Sequence, residues 1–348
     1  MDTVDRRKFL GYAAGGIAMG AAGWRGNAFA QDARTIRVTH FGGPYAALKD
    51  VVGDPFEKAG KGKVVYETEN SVSASTKLQA QKDDPPFDIV MLSRGITARN
   101  GKAGMLVPLA SGELSNAGQL VPGAMAPGNF GVAMLIDAID IMYDKTKVTT
   151  PITSWLDLWR PDLKGQVAVL AAALPVYTLV MQMARIVAGD DRKDASIDAA
   201  FAKLKNLKTN VRTFYSDPVQ ASQMLDRGEI SVAVQYVGRI SALMKSNSKI
   251  ARATPKEGVP GVPYDLCLVA KGRNKNVALQ YIDTCLSSET QSALATRLSI
   301  TPARKDVKVP AEASHLVVPS SSIWFPDEDF AAGKSADWAR RWQREVQS

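Results

Sequence analysis

The strongest constraint on how this chain folds is the alternation of two sequence periods. TIRVTHF from Thr35, KVVYETE from Lys63 and FDIVML from Phe87 read as strands, alternating or continuously apolar over strand length. Between them, GGPYAALKDVV and VSASTKLQAQK have the spacing of helices. Gly42 and Gly43 mark the first turn, Pro44 fits a first helical position, and Asp54 before Pro55 reads as an N-cap. Strand, helix, strand, helix, strand predicts a mostly parallel sheet covered on both faces.

The second half repeats the pattern. QVAVLAA is a strand, PVYTLVMQMARIVAG a helix with Leu179, Met183 and Ile186 on one face, and NVRTFYS a strand. Asp217-Pro218 starts the helix PVQASQMLDRG, which Gly228 ends. EISVAVQY then alternates, with Ile230, Val232, Val234 and Tyr236 on one side. The result is two α/β lobes, joined by the strands of GVAMLIDAIDIMYD and PYDLCLVA. In TSWLDLWRPDLKG, Trp155 and Trp159 share one face if the segment is an α-helix. A wide apolar stripe beside a helix stop reads as core rather than a ligand box, so both tryptophans are expected to pack inside the second lobe.

Residues 1–30 are a separate object. Arg6 and Arg7 precede a glycine-rich, weakly apolar run from Gly11 to Gly23, and Ala28-Phe29-Ala30 forms a small-x-small cleavage site. The segment resembles a twin-arginine export signal cut before Gln31, which implies a mature protein in the periplasm. The chain's net charge is +8; residues 1–30 hold four basic and two acidic residues, leaving +6 on the rest. The basic residues are scattered, which disfavours nucleic acid as a partner. Cys267 and Cys285, the two cysteines, lack metal-ligand spacing. In an oxidising compartment they are either a disulfide or two buried thiols.

SWLDLWRPDLKGQVAV resembles the segment that opens the second lobe in periplasmic solute-binding proteins of the spermidine/putrescine type. VTHFGGPY, DPFEKAGKGKVVYE, FDIVML, MYDKTKV, LDRGEISVAVQY, ATPKEGVP, PYDLCLVAKGRNKNVALQYIDTCLSSETQSALA and ITPARKDV follow the same family's order over nearly the whole chain beyond residue 30. The resemblance implies an α/β, two-lobed, type II-like periplasmic binding protein fold, each lobe a mostly parallel sheet flanked by helices and joined by crossing hinge strands. Lobe 1 is expected over residues 31–140 and 266–303, lobe 2 over 141–265 and 304–348. It implies a non-enzymatic, cofactor-free monomer that captures a small-molecule solute between closing lobes and docks transiently on an ABC permease in the inner membrane.

Ligands of parallel α/β sheets bind beyond the carboxyl ends of the strands. Those ends supply the candidate contacts: Phe41, Gly43, Tyr45, Ser93, Arg94, Tyr177, Ser216, Tyr236, Tyr264 and Asp265. Tyr236 and Tyr264 offer aromatic surface, and Asp265 matches a family position that contacts an amine. The family's acidic cluster after the strand that follows the SWxDLW motif is missing: VLAAALPVY contains no acid. In LIDAIDIMY, Asp137 and Asp140 are three apart, so on a strand they face opposite sides and one of them points into the cleft. Asp137 is the candidate. With Arg94 as an anion grip, one carboxylate and one guanidinium suit a zwitterion; a polyamine-like amine is the other solute class. A small organic anion or a ferric ion in the same fold stays open, although there is no Tyr-Tyr pair and His40 stands alone. An exported hydrolase is the rival from another class. It has neither G-x-S-x-G nor H-E-x-x-H, and His40 and His315 are the only histidines.

Overall fold

In the computed structural model, residues 34–110 and 112–348 are described; the expected export segment lies outside them. Strands form where the sequence predicts them at β1 (Thr35–His40), β2 (Lys63–Thr68), β3 (Ile89–Ser93), β4 (Val132–Asp144), β5 (Val167–Leu170), β6 (Val211–Tyr215), β7 (Val232–Tyr236) and β9 (Val259–Leu268); the short strands β8 (Ile250–Arg252), β10 (Thr301–Pro302) and β11 (Ile323–Trp324) add to them without a sequence expectation. The main path runs β2-β1-β3-β9-β4-β7-β5-β6. Each half has three parallel strands, β2-β1-β3 and β7-β5-β6, and meets a long antiparallel strand, β9 or β4.

β4 belongs to both halves. Its thirteen residues are all buried. Val132–Ala138 pair with β9, and from Ile139 onward the partner on the main path is β7. Each half has its own core. Ile36, Met91, Leu135 and Tyr281 pack in the first; Trp155, Val169, Phe201 and Trp342 pack in the second. The chain ends in the second core, where the closing helical stretch from Ser335 buries Trp338, Trp342 and Val346.

Two local expectations change. Asp54 is not an N-cap. A π-helical stretch, Lys49–Gly53, runs directly into the helix Asp54–Lys58, and Asp54 is itself helical (φ −62°, ψ −43°), paired with Lys49 Nζ at 2.7 Å. Pro55 has no N–H to give the preceding turn, and the wider turn ends beside it. The SWLDLW segment is a five-residue 3-10 helix, Trp155–Trp159. Ser154 and Asp157 close it reciprocally: Ser154 Oγ accepts from Leu156 N–H, and Asp157 Oδ2 accepts from Ser154 N–H at 3.0 Å. With three residues per turn, Trp155 aligns with Leu158 rather than with Trp159. Trp155 is 2% exposed and its indole N–H donates to Gly258 O at 2.9 Å. Trp159 is half-buried under Lys203 Nζ, 4.8 Å from the ring centre. Both cysteines are buried free thiols, Cys267 in β9 and Cys285 in the helix Lys275–Cys285.

Trp155→Ala is therefore expected to cost about 3–5 kcal/mol in urea unfolding, the range for a buried aromatic, and Trp159→Ala clearly less. Equal costs would contradict the 3-10 alignment.

Candidate functional site

Antiparallel pairing places Asp137 of β4 opposite Val262 of β9 and Leu135 opposite Tyr264. Tyr264 is thus a same-face diagonal neighbour of Asp137. On the other flank Ile139 pairs with Tyr236, the last residue of β7. Asp137 is 4% exposed. Its Oδ1 accepts from Ala138 N–H at 2.8 Å and Gly238 N–H at 3.1 Å. Gly238 lies in the first turn of the helix Val237–Ser246, whose N-terminal end favours negative charge. Tyr264 also hydrogen-bonds the carboxyl. Burial pushes the Asp137 pKa up to about 6, against those hydrogen bonds and the field of Arg239. Among the described residues, neither Asp137 nor Arg239 has an ion-pair partner within 4 Å.

The surrounding surface is aromatic. Phe41, Tyr45 and Tyr264 meet edge to face, with ring centres 5.1 to 5.6 Å apart. A cavity of about 360 Å³ is lined by Tyr45, Asp137, Tyr236, Arg239, Tyr264 and Ile300. A second, of about 390 Å³, shares Tyr236 and Tyr264 and adds Ser93, Arg99, Tyr177 and Glu328. Both draw walls from the two halves of the sheet. The arrangement provides a buried negative group, aromatic faces and a free guanidinium, which is equipment for holding a small charged molecule rather than for bond-breaking.

A family model, bacterial extracellular solute-binding protein, matches residues 52–316. The chain belongs to that family. Its relatives include the gamma-aminobutyric acid-binding protein of Pseudomonas aeruginosa, 28% identical over 289 residues, 78% of each chain. The spermidine/putrescine-binding periplasmic protein of Escherichia coli is 27% identical over 240 residues, 67% of this chain and 68% of that one. Among solved structures, an ABC transporter protein from Clostridium perfringens superposes with a TM-score of 0.79 at 25% identity, over 89% of this chain and 99% of that one. The fold is the two-lobed α/β binding-protein fold, and the protein is a solute-binding protein, not an enzyme.

In this solute-binding protein, two candidate contacts serve each other. Arg94 and Asp265 form a buried forked pair: Nε lies 3.0 and 3.2 Å from the two carboxylate oxygens, and Nη2 lies 2.7 Å from Oδ1. Arg94 also donates to the carbonyls of Gly123, Ala124 and Met125. The guanidinium is saturated, and Asp265 is fully buried. Burial raises the Asp265 pKa and Arg94 opposes it. The cation beside Asp265 is thus internal, and in the cavity that holds Asp137 the guanidinium free to meet a solute is Arg239.

Tyr45, Ser93, Asp137, Tyr177, Tyr236 and Tyr264 come together along the two cavities. Phe41 supports Tyr45 and Tyr264 from behind. Gly43, at φ +52°, serves the exposed turn Gly43–Ala46, and Ser216 is exposed; neither lines these cavities. His40 accepts from Gly42 N–H through Nδ1 at 2.9 Å, a turn-stabilising role. Several lining residues were not named as contacts from the sequence, Arg239 and Glu328 among them. Arg239 lies in the first turn of the helix Val237–Ser246, directly after β7. Glu328 arrives from the C-terminal segment, where Tyr177 Oη donates to it at 2.8 Å and burial pushes its pKa up to about 7. No local pattern points to Glu328.

Asp265→Asn is expected to cost about 3–5 kcal/mol in urea unfolding at pH 7, because it leaves Arg94 buried without its counter-charge. A loss under about 1 kcal/mol would remove the pair from the structural account.

Proposed function

We propose that this chain is the capture component of an ABC importer and that its solute is a small zwitterion, the ammonium held by Asp137 and the carboxylate facing Arg239. The observation that carries this reading is a buried carboxylate without an internal cation, ringed by tyrosines and sharing a cavity with an unpaired arginine. The aromatic faces of Tyr45, Tyr236 and Tyr264 suit the methylene chain and favour a nearby cation. The relative named for gamma-aminobutyric acid supports the class. A second reading, a diamine spanning from Asp137 to Glu328, rests on Glu328 as a second buried carboxylate in the adjoining cavity.

The solute bridges the lobes and favours closure through contacts made only in the closed form. The closed monomer then docks transiently on an inner-membrane permease. The partner change in β4 between Ala138 and Ile139 supports lobes divided near residues 140 and 266, with the C-terminal segment in lobe 2. Export through the twin-arginine route, with cleavage before Gln31, completes the reading.

Calorimetry with 4-aminobutyrate, putrescine and butyrate tests it. The zwitterion is expected to bind, with both single-charge-type analogues at least tenfold weaker, and Asp137→Asn to lose the binding. Preferred binding of putrescine, lost in Glu328→Gln, would favour the diamine reading; no dependence on Asp137 would refute both. Ammonium binding needs an ionised Asp137, whose pKa in the free protein is raised to about 6. Affinity is therefore expected to be level above pH 7 and to fall by up to about tenfold per pH unit well below 6. A profile flat from pH 5 to 7 would contradict the role of Asp137.

A further inference from the structure

On the reverse face of β4, opposite Asp137, Asp140 lines a separate cavity of about 460 Å³. Arg185, Arg252, Lys256, Glu257 and Trp324 are among its other walls. The internal charges leave it positive. Arg252 is nine-tenths buried, yet it is poorly served: Nη2 donates to Val317 O at 3.2 Å, Nε is 4.0 Å from Asp140 Oδ2, and Nη1 has no partner. A distance of 4.0 Å is too long for a hydrogen bond. Asp140 Oδ1 is turned to its own neighbour, Ile141 N–H, at 2.7 Å. Burial pushes the Asp140 pKa up to about 7, so its charge is incomplete near neutrality.

The other acid, Glu257, narrows the positive excess without cancelling it. Glu257 directs its oxygens to Ser154 Oγ and Trp155 N–H, at the cap of the 3-10 helix. Arg185 stacks over the Trp324 ring at 4.4 Å and reaches Asp191 only at 4.0 Å. That stacking fixes the plane of its guanidinium while leaving its edge for an acceptor. Lys256 forms no ion pair among the described residues. Beside Trp324, Gln182 accepts the indole N–H and leaves its own buried Nε2 unpartnered. Three cations, one of them with an unmet buried N–H, thus face two carboxylates, Asp140 and Glu257, which leaves an excess of at least one positive charge.

We propose that this cavity is a second binding site, independent of the solute cleft, for a small oxyanion: a phosphate or a carboxylate group gripped by Arg252 and Arg185, with Lys256 at the rim. A buried guanidinium with an unmet N–H gains a charge-assisted acceptor when such a group enters. The site rests on β4 where that strand changes partner and on the start of β9, behind both lobe-crossing strands.

The test is a thermal-shift and calorimetric titration with inorganic phosphate at pH 7.5, ionic strength held constant with chloride, and a parallel titration with acetate. A saturable stabilisation by phosphate or acetate is expected in the unaltered protein, and the stronger of the two identifies the group. Arg252→Gln is expected to lose it, and Arg185→Gln, at an exposed position, to weaken it at least tenfold. If Arg252→Gln does not fold, Arg185→Gln decides alone. Phosphate and acetate acting no differently from chloride, or a saturable response unchanged in Arg185→Gln, would overturn the proposal.

Discussion

The shared strand β4 is the constraint from which the rest of the architecture follows. Thirteen consecutive buried residues cannot lie at a sheet edge facing water, so they must be paired and covered throughout. The chain meets this demand by giving β4 to β9 over its first half and to β7 over its second. Two parallel units, each with its own core, are thereby fastened to one backbone. A connection of this kind permits the units to rotate against each other without exposing either core, which is what a solute-enclosing protein requires.

The same strand distributes charge. A period of two sends Asp137 to the face lined by tyrosines and Asp140 to the face lined by Arg252. Burying a carboxylate is costly unless something offsets it. At Asp137 the offset comes from backbone N–H groups at a helix start and from Tyr264, and it is incomplete, as the raised pKa shows. An incompletely compensated anion in a cavity attracts a cation. At Arg94 and Asp265 each charge has its counter-charge inside the protein, so that pair stabilises the fold and presents no free group to a solute.

Much of this was legible in the residues. Period alternation located the main strands, and the three-residue spacing of Asp137 and Asp140 correctly put them on opposite faces. The family resemblance rested on the order of weak segments such as SWLDLWRPDLKG and LDRGEISVAVQY. Long-range partnerships were not legible, because nothing local encodes them: Arg94 meets Asp265 across 171 positions, and Glu328 meets Tyr177 across 151. Asp54 was misread because an N-cap and an interior helical residue look alike when the preceding turn is wide. Trp155 and Trp159 were placed on one face because the sequence does not distinguish a short 3-10 turn from an α-helical one.

The most direct measurement of the central claim is a crystal structure of the protein with its bound solute. The ammonium nitrogen is expected about 2.7–2.9 Å from an Asp137 oxygen, the range for a charge-assisted hydrogen bond, with the carbon chain against Tyr236 and Tyr264 and both lobes in contact with the molecule. A solute held by one lobe only, or bound with Asp137 still bonded to nothing but Ala138, Gly238 and Tyr264, would contradict it.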